Sequence, residues 1–176
     1  MLFGMKQPNP LHLILTGGTI DSHYDGAKDT VVTSKTSSLP EFLESLKLGR
    51  KTKITTVCMK DSRALSLTDR KKVLSTIERS PMKKVLVTHG TYTMPDTARY
   101  LNANLKRKDQ VIILTGSMIP LVGFSPSDAP FNLGFAIASL DTLPPGVYVS
   151  MNGKVFTPDE VVKELNRGVF NSIFQK

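Results

Sequence analysis

Five short apolar runs limit the folds open to this chain more than any other feature. They are Leu11–Leu15, Ile54–Cys58, Val85–Val87, Val111–Leu114 and Val147–Val149. Each is rich in β-branched or aliphatic residues and bounded by turn or polar residues. Their continuous apolar character, without alternation, predicts strands buried on both faces. Helical patterns separate them. Pro40–Leu48 gathers Phe42, Leu43 and Leu46 on one side, and Thr68–Arg79 gathers Val73, Leu74 and Ile77. Pro95–Leu105 carries Ala98, Leu101 and Leu105, and Ala129–Leu140 is more apolar still. Strands alternating with helices of this length predict an α/β fold: an open, mainly parallel sheet with helices on both faces, in three layers like flavodoxin.

Two further local signals stand near the C-terminus. Asn152-Gly153, between the apolar runs VYVS and VF, predicts a hairpin. Thr157-Pro158-Asp159-Glu160 reads as a capping box with proline at the first helical position, which predicts a last helix to about Leu165. Residues 21–38 are polar and irregular and read as a long loop. No repeat or linker divides the 176 residues, so a single domain is expected.

Charge and cysteine content narrow the partners. The net charge of +8 sits in short groups such as Arg70-Lys71-Lys72 and Lys106-Arg107-Lys108, which fit solvated helix faces and ends. No aromatic RNA-binding signature or zinc spacing accompanies them, which argues against a nucleic-acid partner. No run approaches the ~20 apolar residues of a membrane span, and MLFGMKQPNP lacks the apolar core of a signal peptide. Cys58 is the single cysteine, so a reducing cytoplasm is the expected compartment.

In open parallel sheets, ligands bind beyond the carboxyl ends of the strands. Three of those ends are rich in Thr and Gly: TGGTI at Thr16–Ile20, THGTYTM at Thr88–Met94 and TGSMIP at Thr115–Pro120. Gly17, Gly18 and Gly90 let the backbone turn sharply and approach a ligand, and Thr19 and Thr91 then present hydroxyls. A threonine hydroxyl is a nucleophile only when a neighbour takes its proton and nearby donors stabilise the oxyanion. TGGT is neither a dinucleotide fingerprint nor a P-loop. His12, His23 and His89 have no ligand spacing, and His89 reads as a buried, hydrogen-bonded histidine. No metal and no cofactor is called for.

TGGTI, THGTYTM, TGSMIP…DAPFNLGFAI and MNGKV, in this order from about Leu11 to Phe170, resemble the bacterial-type L-asparaginase/glutaminase family. The resemblance implies an amidohydrolase that converts a side-chain amide, of L-asparagine or a related molecule, to the acid and ammonia. It implies Thr19 as nucleophile, Thr91 as second catalytic threonine and Lys163 as the lysine that polarises Thr91. Asp61, in CMKDS, matches an acidic residue of the substrate-carboxylate loop, and Gly18 and Gly90 frame the pocket. Met59 aligns with the serine that binds the α-carboxylate, with Lys60 beside it. Ser117 joins the substrate-binding group. Tyr24 is a candidate for the tyrosine beside the nucleophile, although it stands closer to Thr19 than the family spacing.

The departures from the pattern also carry information. The family motif HGTDTM has an aspartate where this chain has Tyr92. Loss of that anion removes a charge-assisted bond to an ammonium group worth about 1.5–3 kcal/mol. Tyr92 with Lys60 and Arg63 suits an uncharged or anionic amide or dicarboxylate. Members of the family carry a second, C-terminal domain, and this chain, about half their size, is read as the N-terminal-type domain alone. The expected partner is then a second copy, in a homodimer or higher homo-oligomer, with Val169-Phe170 and Ile173-Phe174 either as contact candidates or as a segment packed on its own sheet. The alternatives are a catalytically weak or inactive small-molecule-binding module, or one half of a split amidohydrolase or amidotransferase.

Overall fold

The computed structural model describes residues 9–174. The N-terminal segment read for a leader therefore lies almost wholly outside the described residues. A six-stranded sheet forms the middle layer. Its strands are β1 (Leu11–Gly17), β4 (Thr52–Lys60), β5 (Lys84–Thr88), β6 (Val111–Thr115), β7 (Gly146–Met151) and β8 (Lys154–Phe156). The spatial order is β4-β1-β5-β6-β7-β8. All neighbours are parallel except β7 and β8. The antiparallel pair follows from Asn152 and Gly153, whose φ angles of 55° and 72° suit a tight hairpin turn between twisted strands.

Alternate residues of β1 face opposite layers. Leu11, Leu13 and Leu15 pack with Leu39 and Leu43 of α1 (Leu39–Ser45) and with Leu133, Ala136 and Leu140 of α4 (Ala129–Thr142). Ile14 packs on the other side with Val73 and Ile77 of α2 (Leu67–Glu78) and with Ala98 and Leu101 of α3 (Met94–Asn104). The expected three layers and mainly parallel sheet are thus present. Among the described residues no helix is long and apolar enough to cross a membrane.

Three sequence expectations are corrected. The run Ile54–Cys58 lies in β4, an edge strand with one neighbour, so it is not buried on both faces, and Ile54 is 38% exposed. The stretch 21–38 is partly ordered as a hairpin of β2 (Ser22–Asp25) and β3 (Thr30–Thr33). The helix expected from Thr157 to Leu165 does not form. Its capping signal operates for one turn: Thr157 N donates to Glu160 Oε1 at 2.7 Å and Val161 N donates to Thr157 O at 3.3 Å. Then Val161-Val162 enters β9 (Val161–Glu164), which pairs antiparallel with β10 (Val169–Ser172). β-branched residues suit a pleated surface better than a helix, and a hairpin partner satisfies their backbone at once.

α2 starts with a complete capping box. Ser66 Oγ accepts from Asp69 N at 3.2 Å, and Asp69 Oδ2 accepts from Ser66 N at 2.9 Å. Asp69 also receives the Lys60 ammonium at 2.8 Å. That bond first, and then the Ser66 donors, hold its carboxyl down at about 2. Asp69→Ala is expected to lower stability by about 1–2 kcal/mol in urea unfolding, since it removes the cap and leaves its donors unpaired.

His89, just past β5, is fully buried, and Nδ1 lies 2.7 Å from the carbonyl oxygen of Gly90, to which it donates. Burial pushes its imidazole down from 6.5 to about 4. Its neutral form is favoured in the fold, so stability is full above 6.5 and falls as the pH drops towards 4. The slope from this one group reaches about 1.4 kcal/mol per pH unit. Asp69, shifted down from 3.8 to about 2, contributes stability that is full above 3.8 and is lost as the pH falls through that range. Urea unfolding across pH should therefore show two successive acid windows. His89→Gln should flatten the upper one and Asp69→Asn the lower.

Candidate active site

The parallel strands run in the order β4-β1-β5-β6-β7, so successive connections leave β1 in opposite directions. Strand order therefore reverses between β1 and β5, and the crevice at their carboxyl ends is where an open α/β sheet receives a ligand. Thr19 and Thr91 leave the sheet at that point.

The crevice is built by backbone meeting backbone. Gly18 has φ +86°, and a Cβ placed on it would collide with the Cα and N of Gly90. A Cβ on Gly90 would stand 2.7 Å from the Cβ of Ser62. Gly18 N also donates to Lys60 O at 2.9 Å. Three strand exits are thereby pressed together, and only glycine at the two inner positions permits it. The side chains that follow are brought round one small hollow of about 160 Å3.

Thr19, Thr91 and Lys163 all line this hollow. Thr19 opens a 3-10 turn after β1. Thr91 is buried just before α3. Lys163 reaches it from β9, and its ammonium donates to Thr91 Oγ1 at 2.6 Å. Burial and then the Arg63 charge hold the Lys163 amine below its ordinary value, with Asp61 opposing them. A lowered amine beside a hydroxyl can exchange a proton with it.

Asp61, Gly90 and Tyr92 line the same hollow. Asp61 caps a 3-10 turn over Ser62–Ala64, with Oδ1 accepting from Arg63 N at 2.8 Å. The turn is tied to the β5 exit, since Thr93 Oγ1 donates to Ser62 O at 2.8 Å. The Arg63 guanidinium lies 4.6 Å from the Tyr92 ring centroid. Gly18 backs the hollow through its contact with Gly90.

Other predicted positions fall elsewhere. Met59 and Lys60 do not line the hollow; they end β4, with Lys60 turned to Asp69. Ser117 is buried and donates to Ile119 O at 2.6 Å, and its neighbour Met118 lines the hollow instead. Tyr24 lies on β2, hydrogen-bonded to Asp29, and borders a separate hollow of about 360 Å3 with Ser34 and Phe124.

Ser62 and Met118 were not singled out by the sequence reasoning, which named Arg63 only as a cation near the pocket. Asp61-Ser62 directly after an apolar strand was the available signal, because Asp is a good cap for a turn at a strand's carboxyl end. In the larger groove of about 720 Å3 between α1 and β4, lined by residues such as Glu41, Lys47 and Thr52, no lysine is hydrogen-bonded to a hydroxyl among the described residues.

A family model described as the N-terminal domain of asparaginase matches residues 10–173. A glutaminase-asparaginase of Acinetobacter glutaminasificans is 30% identical over 172 residues, covering 90% of this chain and 50% of its own. The structure of a probable cytoplasmic L-asparaginase from Campylobacter jejuni aligns with a TM-score of 0.79 at 26% identity, covering 94% of this chain and 53% of that one. The thermostable L-asparaginase from Thermococcus kodakarensis aligns with a TM-score of 0.76 at 26% identity, covering 95% and 52%. The chain spans about half the length of the relatives it matches over most of its own length. With its TGGT and HGT exits meeting at the switch point and nearly all its residues matched, this chain belongs to the asparaginase family and corresponds to that family's N-terminal domain.

Proposed function

We propose that this chain is an asparaginase-like amidohydrolase that splits a side-chain amide into a carboxylate and ammonia. The observation that carries the reading is the Lys163–Thr91 bond of 2.6 Å inside the hollow that Thr19 also lines. The names of the relatives, glutaminase-asparaginase and L-asparaginase, support the same chemistry.

In this reading Thr19 Oγ1 adds to the amide carbon. Its proton passes through the Thr91–Lys163 pair to the departing nitrogen, which leaves as ammonia, and an ester remains on Thr19. Water then adds to the ester carbon and gives a proton to the pair. The bond to Thr19 breaks, the proton returns to its oxygen, and the acid is released. Asp61 and Ser62 contact the substrate's far end. No cofactor takes part.

We also place the working form in a homo-oligomer. Leu165, Ile173 and Phe174 are exposed at the β9–β10 end, next to the strand that carries Lys163. The lone Cys58 is compatible with a reducing, cytoplasmic setting.

Thr19→Ala and Thr91→Ala should each lower ammonia release from L-asparagine, L-glutamine or a related amide by at least about 100-fold. Lys163→Met should do the same. A wild-type protein that frees no ammonia from any of a panel of side-chain amides would rule the reading out.

The pH profile gives an independent check. Lys163 must be neutral to accept a proton, so kcat/KM should rise with pH through a limb below the ordinary lysine value of 10.5. Asp61 raises that amine, so Asp61→Asn should move the limb to lower pH. A limb unmoved by this change would exclude Lys163 as its source.

A further inference from the structure

The charged groups lining the hollow are Asp61, Arg63 and Lys163, two cations to one anion. Asp61 already faces Lys163, whose amine it raises, and one of its oxygens is taken by the backbone N–H of Arg63. Among the described residues no carboxylate pairs with the Arg63 guanidinium. It lies instead over the Tyr92 ring. A guanidinium on an aromatic ring uses its face, which leaves the in-plane N–H edge free and held in place for two bonds to a carboxylate. Lys60 cannot share this task, because its ammonium is held by Asp69 outside the hollow.

We infer that Arg63, positioned over Tyr92, is a carboxylate anchor that makes the preferred ligands of this hollow monoamides of dicarboxylic acids that carry no ammonium group beside the carboxylate. The inference rests on the amidohydrolase reading for the amide end of the ligand. The carboxylate meets Arg63 and the Ser62 turn, and the amide points to Thr19 and Thr91. An α-ammonium group would enter a site where the fixed Arg63 cation, joined by Lys163 when it is protonated, faces one engaged carboxylate. Succinamate has the required groups, and hydrolysis with one water yields succinate and ammonia. L-Asparagine adds only the ammonium.

The test separates the anchor from the chemistry. Isothermal titration with succinate and L-aspartate, the two products, needs no turnover. Succinate should bind at least about 10-fold more tightly than L-aspartate. Arg63→Ala should weaken succinate by about 10-fold or more and remove most of the preference, with Arg63→Lys intermediate because it lacks the planar fork. Tyr92→Asp should shift the preference towards L-aspartate. Arg63 and Tyr92 are both exposed side chains, and circular dichroism will verify that the variants fold.

Equal or tighter binding of L-aspartate, no binding of either acid, or an Arg63→Ala variant that binds succinate as the wild type does would overturn the anchor. Ammonia assays with succinamate and L-asparagine complete the comparison. Arg63-dependent succinate binding with no ammonia from either amide would overturn the amidohydrolase reading while the anchor stands. Faster turnover of L-asparagine would overturn the anchor while amide hydrolysis stands.

Discussion

The close approach of Gly18 to Gly90 is the constraint on which the rest of the site depends. Two parallel strands end side by side where the strand order reverses, and their exits touch without side chains between them. A methyl group on Gly18 would have to displace main chain rather than the end of a flexible side chain. Ser62 is pressed against the outer side of Gly90, so the exit of β4 is registered to the same contact. The hydroxyls of Thr19, Ser62 and Thr91 are brought together as a consequence of this packing. A rigid sheet edge fixes reactive groups more closely than free loops would, which is why such sites can hold a nucleophile within reach of its base.

Charge then turns this geometry into chemistry. Lys163 arrives from the β9–β10 hairpin, which lies outside the main sheet, and buries its amine against Thr91. Its environment combines burial, the Arg63 cation and the opposing Asp61 anion. The balance lowers the cost of losing a proton and ties the behaviour of the amine to two residues at the ligand-facing rim. The same Arg63 is held over Tyr92 and has no carboxylate partner among the described residues. In the proposed reaction, the group that moves the proton and the group that holds the carboxylate therefore share one electrostatic field.

A second consequence concerns the parts of the fold that look alike in composition but serve different ends. Lys60 and Arg63 are three residues apart, yet one ends in a capping network and the other in the hollow. The difference arises at Asp61, where the chain leaves β4 and turns through Ser62–Ala64. Before that point side chains alternate across the sheet; after it they follow the turn. Alignment with the family pattern therefore placed Met59 in the substrate-binding group, and the turn brings Ser62 to the hollow instead.

The amino-acid order by itself determined the alternation of strands and helices, because short β-branched runs bounded by turn residues favour strands while apolar residues at helical spacing favour helices. It determined the Asn152-Gly153 hairpin through the φ angles that these two residues tolerate, and it marked Thr19, Thr91 and Lys163 through motifs whose order is specific. Tertiary structure decided what local signals could not. The capping box at Thr157 favoured a helix, yet pairing with β10 drew Val161–Glu164 into a strand, since a partner strand satisfies the backbone of β-branched residues. Which polar side chains converge was also a tertiary outcome. Ser62, Arg63 and Met118 reach the hollow while Lys60, Ser117 and Tyr24 do not, because strand order and backbone contact, which no single segment encodes, set where each chain exit points.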